Sequence, residues 1–196
     1  MDVTMTVPVT PMKRLAIVGT AQTWTQTPWN DTTLEVASLN DAYALGIPRA
    51  DWWFDLHPIT EMVFKSKAQK AIPANEVPVG AYLRPEGHVE WLTKCPCQVF
   101  LQTAIGGKTQ AFPIEAVCAF WERFWPYRID PKGIVNAGKD YESSTPALML
   151  MWAVMQGYQE IFITGIHLAT LWEYQQQRPN MEFLIGVATG LYGPAQ

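Results

Sequence analysis

One stretch constrains the fold of this chain more than any other. Ser143-Ser144-Thr145-Pro146 opens an apolar run that reaches Gln156, Gly157-Tyr158 follows, and then comes Glu160-Ile161-Phe162-Ile163-Thr164-Gly165-Ile166-His167. The first half predicts a helix, with Ser144 or Thr145 as N-cap, Pro146 in the first turn and Gly157 at the stop. The second half predicts a buried strand. Helix therefore feeds directly into strand. The hydroxyls of Ser143, Ser144 and Thr145 sit where the unpaired N–H groups of the helix point, a natural seat for a phosphate. The strand carries Gly165 and His167 to its carboxyl end.

The rest of the chain repeats this alternation. Arg14-Leu15-Ala16-Ile17-Val18-Gly19 is a short apolar run stopped by glycine, as expected of a fully buried parallel strand. Residues 35–40 read as a second strand ending in Asn40-Asp41. Residues 51–57 read as a third, ending in His57 and stopped by Pro58. Residues 59–71 have helical spacing, with Lys65, Lys67 and Lys70 as a solvated face. The Pro- and Gly-rich stretch 72–96 allows a short helix at 88–93. Residues 97–102 predict a fourth strand, 112–125 a helix, 133–136 a marginal strand, and Pro179 the start of a final helix reaching Gly190. Gly106-Gly107-Lys108-Thr109 lacks the first glycine of a P-loop, which would fall at Gln102; it reads as a flexible surface loop with Lys108 within reach of a ligand. There is no internal repeat. The expectation is an extended arm over 1–12 and a single α/β domain over 13–196, built on a mostly parallel sheet.

Composition narrows the function. A chain of 196 residues, 48% hydrophobic and 16% charged, has the material for one core and is not disordered. No apolar stretch reaches membrane-spanning length and the start lacks a signal-peptide pattern, so a cytoplasmic, membrane-free protein is expected. A net charge of −4 gives no general attraction to nucleic acid. Cys95, Cys97 and Cys118 match no familiar zinc spacing and read as reduced thiols.

Two elements could grip a phosphate without a cation: the turn Gly19-Thr20-Ala21-Gln22-Thr23 and the helix start at Ser143, Ser144 and Thr145. The plain alternatives are a tight turn and an ordinary N-cap. Gly19 stands alone, so the three-glycine dinucleotide fingerprint is absent. Asn40, Asp41 and His57 fall at further strand ends. Candidate bases are His57, His167 and Asp55, with Glu173 and Glu182 behind them; Arg178 could neutralise an anion, or simply pair with an acid on the same surface. Trp24, Trp29 and Trp172 lie in loop-like sequence where a ring can stack on a base, although core or loop packing is the better explanation of any one of them. No carboxylate pair suggests a divalent metal site, so no metal is expected.

Three segments carry a family resemblance. Leu15-Ala16-Ile17-Val18-Gly19-Thr20-Ala21-Gln22-Thr23 is similar to the glycine-containing first loop of the bacterial CMP-sialic-acid-dependent sialyltransferases. Ser144-Thr145, and then Gly157-Tyr158-Gln159-Glu160-Ile161-Phe162-Ile163-Thr164-Gly165-Ile166, resemble that family's later helix–strand segment. Asn40 and His57-Pro58 fall where the family has asparagines after its second and third strands. The archaeal 6-hydroxymethylpterin pyrophosphokinases share the frame. Small proteins of tailed phages look similar in length and in the Glu173-Tyr174, Gln177-Arg178-Pro179 and Glu182 ending. The resemblance implies a Rossmann-like fold with helices on both faces of the sheet. It also implies a nucleotide or nucleotide-sugar pocket lined by Thr20, Ala21, Gln22, Asn40, His57, Ser144 and Thr145. His167 stands where the family has aspartate, and the lid that carries the family's catalytic histidine has no counterpart here. The base is therefore sought in His57 or Asp55, with Trp24, Glu173, Arg178 and Glu182 toward the substrate. The function expected is a metal-independent glycosyltransferase with a nucleotide-sugar co-substrate and no permanently bound cofactor, with a hydroxymethylated DNA base as an acceptor suited to a phage setting. The alternatives are a non-catalytic protein that sequesters a nucleotide and a pyrophosphokinase-like phosphoryl transferase.

Overall fold

The computed structural model describes residues 11–65, 82–124, 144–168 and 177–193. The predicted strand at 133–136, most of the arm at 1–12, and Ser143, Trp172 and Glu173 lie outside them. The first strand is β1 (Arg14–Val18), whose apolar residues are buried on both sides. It pairs in parallel with β2 (Leu34–Leu39), which pairs in parallel with β3 (Trp52–Asp55). Between these strands lie single-turn 3₁₀ helices at Gln22–Gln26 and Ala42–Leu45. After β3 a third such turn, Ile59–Glu61, leads into β4 (Met62–Lys65). That strand pairs with β5 (Tyr82–Pro85) in a separate two-stranded sheet. The helix expected over 59–71 is thus replaced, in its described part, by a turn and a strand. The period-3.6 pattern of so short an apolar run is overridden by a strand partner some twenty residues away.

The chain then forms α1 (His88–Lys94) and returns to the main sheet as β6 (Gln98–Leu101), parallel to β3. β7 (Thr109–Ala111) pairs in parallel with β6 after only residues 102–108, far shorter than the dozen or more residues a parallel crossover ordinarily takes. Thr109 Oγ1 makes the tight return possible by accepting the N–H groups of Ile105 and Gly106. The predicted surface loop is therefore an edge strand and its lead-in. Lys108 Nζ is tied to the Pro96 carbonyl rather than turned to a ligand. α2 (Ile114–Trp121), α3 (Thr145–Met155), β8 (Glu160–Thr164) and α4 (Arg178–Tyr192) follow.

The six-stranded sheet has the order β7-β6-β3-β2-β1-β8, with every pair parallel. Strand alternation divides the core into two faces. Leu15, Ile17, Ala37, Leu39, Phe54 and Phe100 face α2, α3 and α4. Ala16, Val18, Leu34 and Val36 face the turn that bears Trp24 and Trp29, while Trp53, Val99 and Leu101 face α1 through Leu92. The chain adds strands to one side of β1 and then crosses to add β8 on the other. The carboxyl ends of β1 and β8 consequently flank the point where strand order reverses, the crevice in which open α/β sheets bind ligands. No helix among the described residues is long and apolar enough to cross a membrane.

Candidate functional site at the carboxyl edge of the sheet

The parallel sheet delivers Gly19, Asn40, His57 and Gly165 to one edge. The turns after β1 and β8 are stitched together there. Gly19 N–H donates to Thr164 O and Ala21 N–H to Gly165 O, both at 2.8 Å. The two glycines touch through their backbones: a Cβ on Gly19 would lie 2.3 Å from Gly165 O, and Gly165 has a φ of +68°. Only glycine fits either position. Thr23 Oγ1 accepts Gly165 N–H at 3.0 Å and lies 2.9 Å from His167 Nε2, with His167 exposed. The Gly19–Thr23 turn and the Gly165–His167 segment thus form one unit. Trp24, just after this turn, packs against the cluster of Ala16, Val18, Leu34 and Val36 and meets Trp29 edge to face, so it is half-buried packing rather than an open platform.

Two strands away, Asn40 adopts the left-handed region with φ +53°, tolerable for asparagine. Its backbone is fully engaged: N–H donates to Phe54 O at 2.8 Å and C=O accepts Trp53 Nε1 at 3.0 Å. Its side-chain Oδ1 is buried and has no hydrogen-bond partner among the described residues, a condition shared only with Trp29 Nε1. Asp41 begins the next turn, its backbone C=O accepting Ala44 N–H.

Beside Asn40, at the end of β3, lies a polar cluster that sequence only half disclosed. Asp55 is fully buried and collects three partners. Arg84 grips both carboxylate oxygens, Nε to Oδ2 at 2.9 Å and Nη2 to Oδ1 at 3.1 Å. His88 Nε2 lies 2.9 Å from Oδ2, and His57 Nδ1 lies 2.8 Å from Oδ1. Burial alone would raise the Asp55 pKa, but the hydrogen bonds from His57, His88 and Arg84 outweigh it and hold the carboxyl far below the ordinary range. Asp55 is therefore an anchor and not the base anticipated for it. An ionised Asp55 requires the proton of His88 on Nε2. Nδ1 can then accept the Tyr43 hydroxyl 3.0 Å away. Burial keeps that phenol protonated, pushing its pKa up to about 12. Tyr43 also stacks on Trp91, with centroids 4.0 Å apart.

His57 is the part of the cluster nearest solvent, with 21% of its side chain exposed. Its Nδ1 is 2.8 Å from Arg84 Nη2 as well as from Asp55 Oδ1. A proton on Nδ1 satisfies Asp55 and makes Nε2 a base; a lone pair on Nδ1 satisfies Arg84 and makes Nε2 a donor. Gln102 Nε2 holds the neighbouring Leu56 carbonyl at 2.9 Å.

The remaining predicted residues are dispersed. Ser144 caps α3, its Oγ accepting Ala147 N–H at 3.3 Å, and Thr145 is buried. Neither bonds to the Gly19–Thr23 turn among the described residues. The two meet opposite faces of the sheet, α3 on one and Trp24 of the turn on the other, although both stand at the same edge. His167 and His57 cannot act as a pair. Three strand intervals of about 4.8 Å separate β8 from β3, so the strand ends lie roughly 14 Å apart. Arg178 Nε donates to Glu182 Oε1 at 2.8 Å across the first turn of α4, an exposed ion pair worth little. Among the described residues no group of three or more histidine, cysteine or acidic side chains is placed to hold a metal ion.

The members that sequence reasoning missed are Arg84, His88 and Tyr43. One signal was available: Asp55 stands inside Trp53-Phe54-Asp55-Leu56, and a carboxylate in a buried strand demands partners. Comparison of the chain with protein-family models, with curated proteins and with solved structures returned no match.

Proposed function

We propose that the carboxyl edge of this sheet, read as a Rossmann-like frame, binds a nucleotide, and that the protein transfers a sugar from a nucleotide-sugar donor to an acceptor hydroxyl. The observation that carries the reading is Asn40 Oδ1, a buried acceptor without a donor among the described residues, set between the Gly19 turn and His57. Buried polar atoms are nearly always paired, and an unpaired one beside a strand-end crevice is accounted for by a ligand N–H or O–H. A base amino group or a ribose hydroxyl has that chemistry. The linked glycine turns bring backbone close enough to approach a phosphate, and the N-terminus of α3 adds its dipole at the same edge. His57, oriented by Asp55 through Nδ1, takes the proton of the acceptor hydroxyl at Nε2.

The contact between Arg84 and His57 supports a second reading. With Nδ1 accepting from Arg84, Nε2 is a donor, and the site binds a nucleotide without deprotonating anything. The two readings separate in one experiment. Purified protein is screened by thermal shift against nucleotides and nucleotide-sugars, and each hit is incubated with hydroxymethylated DNA for mass spectrometry. A ligand at a hundred times its Kd stabilises by about 2.7 kcal/mol, a rise of about 5–11 °C for a chain of this size. Binding with a mass increase on the acceptor supports the transferase, and His57→Asn should then cut turnover by about 10²–10⁴ with binding retained. Binding without transfer supports the sequestering protein. No shift with any nucleotide, or Asn40→Ala leaving affinity unchanged, sinks both.

A further inference from the structure

A second reactive feature lies at the opposite, amino-terminal end of β6. Cys95 and Cys97 flank Pro96 between the last residue of α1 and the first of β6. Their Sγ atoms are 2.7 Å apart, close enough to share a proton and, with two electrons removed, a bond. Both are buried, at 6% and 8% exposure, among Trp53, Leu92, Val99 and Leu101. Lys108 reaches in from the lead-in to β7 and donates to the carbonyl of the intervening Pro96. The hydrogen bond from Cys97 brings the Cys95 thiol down to about 7, with Lys108 assisting against the cost of burial. The same hydrogen bond, burial and the nearby Asp51 carboxylate push Cys97 up. The two sulfurs are thus in direct contact, with Cys95 the more readily ionised of the pair. Neither sulfur takes part in the nucleotide site proposed above.

We propose that Cys95 and Cys97 are a modification site: a dithiol that a hydroperoxide converts into a reversible disulfide, with Cys95 attacking and Cys97 resolving. Depth selects the oxidant. With so little of either cysteine exposed, a small peroxide is favoured over a glutathione-sized disulfide, which must line up three sulfurs at the point of attack. In the first step the Cys95 thiolate attacks one peroxide oxygen, the O–O bond breaks, and the departing hydroxide takes up a proton as water. Cys95 is left as the sulfenic acid. In the second step Cys97 gives up its proton and attacks Cys95 Sγ. The S–O bond breaks, and the hydroxide leaves with that proton as a second water. Two thiols lose two electrons in all, and one peroxide is reduced to two waters.

Trypsin isolates the site, because Lys94 and Lys108 bracket a peptide that contains Cys95 and Cys97 but not Cys118. The full chain is treated with stoichiometric hydrogen peroxide, denatured in N-ethylmaleimide, digested and weighed. The expected product is a 95–108 peptide lighter by about 2 Da and free of maleimide, with Cys118 labelled and dithiothreitol restoring both thiols. In Cys97→Ser, dimedone should capture Cys95 as the sulfenic acid, and the mass loss should vanish. Lys108→Gln, which joins this peptide to the one bearing Cys118 and is therefore read by the maleimide count on the 95–123 peptide, should slow oxidation several-fold. Two maleimides on the 95–108 peptide after treatment, or Cys118 entering the bond, overturns the proposal. The first measurement uses the unaltered protein, so it decides the matter even if the Cys97→Ser chain fails to fold.

Discussion

At the scale of single residues, the sharpest constraints are Gly19 and Asp55. A methyl group on Gly19 would meet Gly165 O at 2.3 Å, and the obstacle is backbone that both β1 and β8 hold in place. Gly19→Ala is expected to cost about 1–3 kcal/mol or more, read as a lower midpoint in urea with an unchanged slope. Asp55 makes a different prediction. Its folded pKa lies below its unfolded value of about 3.9, so its pairing stabilises the protein above that pH and is lost as pH falls below it. Asp55→Asn leaves Arg84 buried without a counter-charge and should cost about 3–5 kcal/mol at neutral pH. The gap between the two proteins should then narrow as the pH drops below about 4. Equal acid sensitivity in denaturation curves of both proteins would show that Asp55 is not the anchor described.

Among the elements, those with strong local signals were legible from sequence and those defined by a distant partner were not. β1, β2, β3 and β6 announce themselves as apolar runs, because a strand buried on both faces needs apolar residues throughout. β8 is marked by Ile161-Phe162-Ile163, although as an edge strand it is only partly buried, not the buried strand predicted. α3 announces itself through Ser144, Pro146 and Gly157. Its cap is long at 3.3 Å, so Ser144→Ala should cost about 0.5–1 kcal/mol, toward the low end for such caps, by thermal denaturation. β7, Thr109-Gln110-Ala111, has no apolar run because it is a mostly exposed edge, and nothing local marks it as a strand. Among the described residues β4 is paired only with β5, a partner on which local periodicity is silent. The candidate site divides in the same way. Asn40 and His57 are at strand ends, where sequence can point. Arg84 comes from the small sheet, His88 from α1 and Tyr43 from a 3₁₀ turn, and only tertiary packing gathers them around Asp55.

For the molecule as a whole, polar chemistry is sorted to the two edges of the sheet. The amino edge is closed by structural pairs: Arg14 with Asp31 and Glu160, and Glu35 with Trp52 and Tyr158. The carboxyl edge holds the Asn40 acceptor, unpaired among the described residues, and the anchored His57. The pairing of β1 with β8 bears on how the protein is made. Arg14 and Glu160 sit side by side but 146 residues apart in the chain. At about 5–20 residues per second, a ribosome takes roughly 7–30 s to supply the neighbour that β1 awaits. Until then β1 has one bare edge, able to pair with another chain and aggregate. The Gly19–Gly165 junction is likewise incomplete, so a nascent chain gains nothing from ligand until β8 has emerged. A chain ending before β8 should accordingly be recovered as aggregate, with nucleotide unable to rescue it, whereas nucleotide added during refolding of the full chain should raise the yield. Under the proposed function, nucleotide would thus act as a late selector in biogenesis, protecting only chains whose synthesis has passed β8.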